Sequence, residues 1–152
     1  MRHAKLAVLV FGLAATMFAA DPAAGTWKLN VTKSKFSPGP APKSATVTYQ
    51  ETAAGIKRTG ETVNADGTKM SFEYTAKFDG TDYPIKGSAD YDAIAIKRID
   101  DLTAEASLKK AGKVVATAKR VVSKDGKTMT LMISSTNAKG EKSVNTSLYE
   151  KQ

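Results

Sequence analysis

The chain has no cysteine and a single histidine, His3. Without cysteine there are no disulfides, no thiol redox chemistry and no lipid anchored through a cysteine. His3 lies in a stretch that reads as a leader. Once that stretch is removed, Ser-His-Asp and Cys-His catalysis, His-ligated haem and Cys or His zinc sites are all excluded. What is left for chemistry is carboxylate, lysine, tyrosine and arginine. No catalytic constellation stands out among them, so the chain is not expected to be an enzyme and no cofactor or metal is expected. Aromatics are sparse at 7%, with one tryptophan, and no long helical apolar period is present.

The leader reading rests on Arg2 and Lys5 before an apolar run from Leu6 to Ala15, followed by mostly small residues from Thr16 to Ala20. Ten apolar residues are too few to span a bilayer as a permanent helix. Cleavage is expected near Ala20, although Phe18 or Met17 then stands where a small residue is preferred. The expected organisation is a signal peptide over 1–20 and one domain over 21–152, periplasmic or secreted, monomeric, with no transmembrane segment after cleavage. Lys and Arg total 23 against 15 Asp and Glu, a net charge of +8. The lysines are scattered rather than bunched, which fits a solvated surface and not a specific nucleic-acid site.

From Ser44 onward, turn pairs punctuate β-favouring runs: Ala54-Gly55, Asp66-Gly67, Asp79-Gly80, Ala111-Gly112, Asp125-Gly126 and Lys139-Gly140. Such pairs supply the positive-φ residues that tight hairpins need. The runs between them predict about ten strands: 25–30, 46–51, 57–63, 69–78, 82–86, 93–99, 103–109, 113–122, 128–134 and 143–149. Alternation gives the faces, with Met70, Phe72, Tyr74, Ala76 and Phe78 on one side of a strand and Ser71, Glu73, Thr75 and Lys77 on the other. Met129, Leu131 and Ile133 form a second such face. Consecutive hairpins predict an all-β antiparallel up-and-down meander, closed into a barrel of about 8–10 strands because closure removes exposed edges. Between the first two strands, Pro38, Pro40 and Pro42 predict a stiff surface loop that Phe36 tacks down.

Three arginines share faces with apolar residues in the part after the leader. Arg58 follows Ile56, Arg98 follows Ile94 and Ile96, and Arg120 follows Val114, Ala116 and Ala118. If those faces line the barrel, each guanidinium needs an internal carboxylate, water or an acidic ligand head, since burying it unpaired is costly. The other reading has Arg58 and Arg98 reaching water from strand ends, with Arg98 paired to Asp100 or Asp101. Asp79, Asp82, Asp90 and Asp92 crowd one region but lack cation-loop spacing and suit turns.

Gly25-Thr26-Trp27-Lys28-Leu29 resembles the first-strand signature of the calycin superfamily, the lipocalins and the intracellular fatty-acid-binding proteins. Leu148-Tyr149-Glu150-Lys151 is similar to the terminal strand of the latter. Asp125-Gly126-Lys127 followed by Met129-Thr130-Leu131 resembles their late hairpin. The resemblance implies a barrel whose end is closed by Gly25 and Trp27, and a carboxylate-binding role for Tyr149. The family's arginine two residues before that tyrosine is Ser147 here. Arg120 stands one position off the family's other internal arginine, and the proline loop stands where the family has a helix pair. The chain is also similar to small exported bacterial proteins that share Gly-Thr-Trp-Lys-Leu-Asn, Ser34 to Pro40 and Asp79 to Pro84, a resemblance that implies fold and export.

The function expected is the binding of a small hydrophobic or amphipathic molecule in the lumen, with an acidic head left open. Arg120 and Tyr149 are the first candidate anchors, with Arg58 and Arg98 behind them. The alternative is an envelope or surface interaction protein whose lumen is filled by its own side chains.

Overall fold

A computed structural model of the chain describes residues 20–137 and 139–152, so the expected leader lies almost wholly outside the described residues. Ten strands follow one another: β1 (Gly25–Leu29), β2 (Ser44–Thr52), β3 (Gly55–Val63), β4 (Lys69–Ala76), β5 (Asp79–Lys86), β6 (Ala93–Arg98), β7 (Thr103–Lys110), β8 (Lys113–Val122), β9 (Thr128–Thr136) and β10 (Lys142–Lys151). Each pairs antiparallel with its neighbours in sequence. β1 closes on β10 through Trp27↔Lys151, Lys28↔Glu150 and Leu29↔Tyr149. The result is a closed up-and-down barrel. The described residues contain no α-helix, only a 3-10 turn over Val31–Lys33 capped by the Asn30 side chain.

The strands form where alternation and turn chemistry agree. Asp66 and Asp125 each accept an N–H from the residue two positions on, at 2.9 Å from Thr68 and 3.0 Å from Lys127. The glycine after each has positive φ, +88° and +69°, which suits it to the sharp reversal. The proline loop is a surface connection. Its first residues run beside β10, with Lys35 and Thr146 exchanging backbone hydrogen bonds and Val144 N–H donating to Ser37 O. Phe36 packs against the core.

Two details differ from the sequence expectation. Asp79-Gly80 lies midway in the β4–β5 reversal, where Glu73 pairs with Lys86 and Tyr74 with Ile85, but β5 already starts there, since Asp79 pairs with Lys97 of β6. It opens β5 as an irregularity where three residue steps on β5 match two on β6. The cause is local: the Asp79 carboxylate accepts hydrogen bonds from Thr81 N–H, Thr81 Oγ1 and Tyr83 OH, curling the chain around Gly80 at φ +74°. Val114 does not share the inward face of Ala116 and Arg120. Leu108 pairs with Ala116 while Lys109 pairs with Val114, so Val115 is an extra residue that reverses the alternation and leaves Val114 exposed.

Successive hairpins alternate between the two ends of the barrel. The β2–β3, β4–β5, β6–β7 and β8–β9 turns share one end with the start of β1 and the finish of β10. Here Trp27 and Ala23 are fully buried, with the Trp27 Nε1–H donating to Ala23 O at 2.8 Å. The residues before β1 thus fold across this end and seal it, and Lys151 Nζ caps the indole at 5.3 Å. Two core clusters fill the wall, one around Trp27, Val47, Ile56, Val122 and Met129, the other around Ile85, Ile94, Ile96 and Leu108. Phe78 packs against both.

Candidate functional site

Inside the barrel, Arg98, Ala104 and Arg120 stand on one rung, paired β6 to β7 to β8. Ala104 between them is small, so both guanidiniums turn toward the sealed end, where Asp21 meets them. Arg98 Nη2 donates to Asp21 Oδ2 at 2.6 Å, and Arg120 Nη2 donates to the two Asp21 oxygens at 3.2 and 3.3 Å. Ala23 N–H donates to Asp21 Oδ1 at 2.8 Å. Burial by itself raises the Asp21 carboxyl, but Arg120, the Ala23 amide and Arg98 outweigh it and hold the group below its ordinary value. Asp21 is therefore an ionised, buried counter-ion shared by two arginines.

Arg58 has no such partner. It lies on the row Tyr49–Arg58–Tyr74 across β2, β3 and β4, and it is 5% exposed. Among the described residues no carboxylate lies within ion-pair distance of it, and its Nη1 is buried without a hydrogen-bond acceptor. Its guanidinium stacks on the Phe72 ring at 4.0 Å and faces the Tyr49 ring at 5.8 Å. Gly60, two residues along the same face, makes room for it: a Cβ there would stand 3.1 Å from Arg58 Nη1. Arg120 also faces the Tyr49 ring, at 4.9 Å, and its Nε is likewise buried without an acceptor.

These groups border a lumen cavity of about 320 Å³. Arg58, Arg120, Tyr49, Tyr74 and Tyr149 belong to its polar part, along with Thr62, Asn145, Ser147 and Glu105, whose carboxylate lies 3.8 Å from Lys119. Ile94, Ile96, Leu108, Leu131 and Ile133 form its apolar wall. Ala104, Ala106 and Ala118 contribute little bulk on the β7–β8 side, which is why space remains there. Phe36, Pro42, Met70 and Tyr91 line the other end, and Met70 is 46% exposed, so the cavity reaches the surface opposite Trp27. Burial pushes the Tyr74 phenol far up and the Tyr149 phenol up as well, so both stay neutral hydroxyl donors through the physiological range.

The candidates named from sequence therefore fall in different places. Arg58, Arg120 and Tyr149 border one cavity, with Arg120 already matched by Asp21. Arg98 does not border it: about a third of its side chain is exposed, its guanidinium stacks on Phe78 at 4.1 Å, and its acid is Asp21 rather than Asp100 or Asp101. Gly25 and Trp27 lie at the sealed end, Gly25 at φ +123° against the Lys151 side chain. Of the crowded aspartates, Asp79 is taken up by Thr81 and Tyr83, Asp82 by Lys109 and Asp92 by the Ala111 amide. The Tyr83 hydroxyl, first among its bonds, brings Asp79 to about 2. No group of three or more possible metal ligands sits together among the described residues.

Sequence reasoning missed Asp21, Phe72 and Gly60 as parts of this site. Gly60 carried a readable signal, since a glycine two residues from an arginine on an inward face leaves space for that side chain. Asp21 carried none beyond its place after the leader-like stretch. The chain matches no protein-family model, and no curated protein is similar to it in sequence.

Proposed function

We propose that the barrel is an exported, calycin-like binding protein that holds one small amphipathic molecule in its lumen by an anionic head. The observation that carries this reading is Arg58: a guanidinium buried on an apolar wall, beside a cavity, with no carboxylate of the described residues within ion-pair distance. A buried unpaired cation costs several kcal/mol, and stacking on Phe72 offsets only about 2 of them. A carboxylate or similar anion in the cavity supplies the missing acceptor for Nη1, while neutral Tyr74 and Tyr149 hydroxyls lie on the same cavity wall. The tail then lies along the isoleucine and leucine wall toward Met70. A volume of about 320 Å³ is at the small end of ligand pockets, which favours a short or compact molecule. Export rests on the leader-like composition of residues 1–20. The anchor in this reading is Arg58 before Arg120, because Asp21 already neutralises the latter.

The test compares decanoate with decanol, which share a chain and differ in charge, by titration calorimetry. Decanoate is expected to bind about 10- to 100-fold more tightly, the span of a charge-assisted hydrogen bond. Arg58→Met is expected to remove that preference while leaving decanol binding. Equal binding of the two by the unaltered protein refutes the anion anchor. Binding of neither refutes the lumen reading and favours an interaction protein with a closed core. Native mass spectrometry of protein purified from its own host identifies the molecule carried.

A further inference from the structure

We propose that the chain is cut between Ala20 and Asp21, and that the α-ammonium group so created is held by Glu51 as the last ion pair of the sealed end. The leader composition suggests a cut in this neighbourhood, and the fold specifies the bond. Burial starts abruptly at Asp21: Ala20 is exposed, while Asp21 is 5% exposed and Ala23 fully buried. Every polar group of Asp21 is committed. Its carboxylate binds Arg98 and Arg120, its carbonyl accepts from Ala24 N–H at 2.8 Å, and its own nitrogen lies 2.5 Å from Glu51 Oε1.

Glu51 is the informative member. It stands near the end of β2 and enters no ion pair among the described residues; its carboxylate turns to a backbone nitrogen instead. A single amide N–H is a weak match for a full negative charge, whereas an ammonium supplies a positive charge and three donors at the same point. The step is a hydrolysis by an endopeptidase of the signal-cleaving class. Water adds across the Ala20–Asp21 amide, the carbonyl carbon leaves as the Ala20 carboxylate, and the nitrogen takes up protons to become the Asp21 ammonium. Because the Asp21 nitrogen and side chain are both engaged in the folded barrel, cutting precedes closure of that end. The new charge then favours the sealed arrangement, coupling processing to the completion of the fold.

This inference is independent of what the lumen binds, and two measurements test it. The intact mass of protein recovered from the compartment where it accumulates is expected to correspond to residues 21–152. A mass that retains Ala20, or that starts after Asp21, overturns the proposal. The second measurement uses two chains released from a cleavable fusion, one starting at Asp21 and one at Ala20, each with and without Glu51→Gln. The substitution is expected to lower Tm by about 3 °C in the chain starting at Asp21 and by about 1 °C in the chain that keeps Ala20, where only the amide hydrogen bond is lost. Equal shifts in the two chains overturn the ion pair.

Discussion

Asp21→Asn removes one charge from the sealed end and almost no volume, which makes it the sharpest probe of what holds that end together. The Asn oxygen still accepts the Ala23 N–H, so the local turn survives. What is lost is the counter-ion of Arg120, which is 8% exposed, and of Arg98, about a third of whose side chain is exposed. Leaving a buried cation without its partner costs about 3–5 kcal/mol. Releasing the partly exposed Arg98 adds under about 1 kcal/mol, because water replaces its acid. A domain of this size responds with a fall in Tm of about 10–20 °C.

Urea denaturation followed by Trp27 fluorescence measures the loss directly, since this is the only tryptophan and its indole bonds to Ala23 in the same segment. The pH dependence gives a second signature. The Asp21 carboxyl is lowered in the folded state, so its contribution is present above its unfolded value near 3.8 and is lost as pH falls through the lower folded value. The gap between Asp21→Asn and the unaltered protein is therefore expected to be widest at neutral pH and to close below pH 3.8. Adding Arg120→Met to Asp21→Asn removes the stranded cation and is expected to restore most of the loss. A cost below about 1 kcal/mol, or a double variant no more stable than the single one, refutes the account of Asp21 as a buried counter-ion.

Three further outcomes follow from the same geometry. Gly60→Ala, with its Cβ 3.1 Å from Arg58 Nη1, is expected to weaken decanoate binding about tenfold while changing stability by under about 1 kcal/mol, read by calorimetry and urea titration. Gly55→Ala places a side chain at φ +126° and against the Ala76 carbonyl, and is expected to cost about 1–3 kcal/mol without touching the lumen. Decanoate affinity is expected to stay level from pH 6 to pH 9, because burial keeps Tyr74 and Tyr149 protonated there; a fall within that interval would show that one of them ionises.

The barrel was legible in the chain because strand and turn signals are local. Alternation over Met70 to Ala76 and the Asp-Gly pairs fixed the segments now seen as β4 and its neighbours. The misreadings occur where one residue is spent on a bulge. Asp79-Gly80 has the composition of a hairpin turn and sits midway in the β4–β5 reversal, yet it also belongs to the irregular start of β5, and the extra Val115 turns Val114 outward. Neither event changes local composition, so only pairing with the neighbouring strand reveals it.

The site was half legible for a related reason. Period-two alternation states which way a side chain points but not what it meets across the lumen, and that depends on how strands stagger around the closed sheet. Arg58 and Arg120 were equivalent on that criterion, two guanidiniums on apolar faces. Asp21 separates them: 99 positions before Arg120 in sequence, it gives one arginine a counter-ion and leaves the other without one. A single carboxylate carried in by the segment before β1 thus divides the lumen into a sealed end whose arginines share an acid and a cavity where Arg58 still lacks an acceptor. Removing Asp21 is therefore expected to lower stability and also to bring Arg120 into competition with Arg58 for an acid. Asp21→Asn should then retain more decanoate binding upon Arg58→Met than the otherwise unaltered chain does.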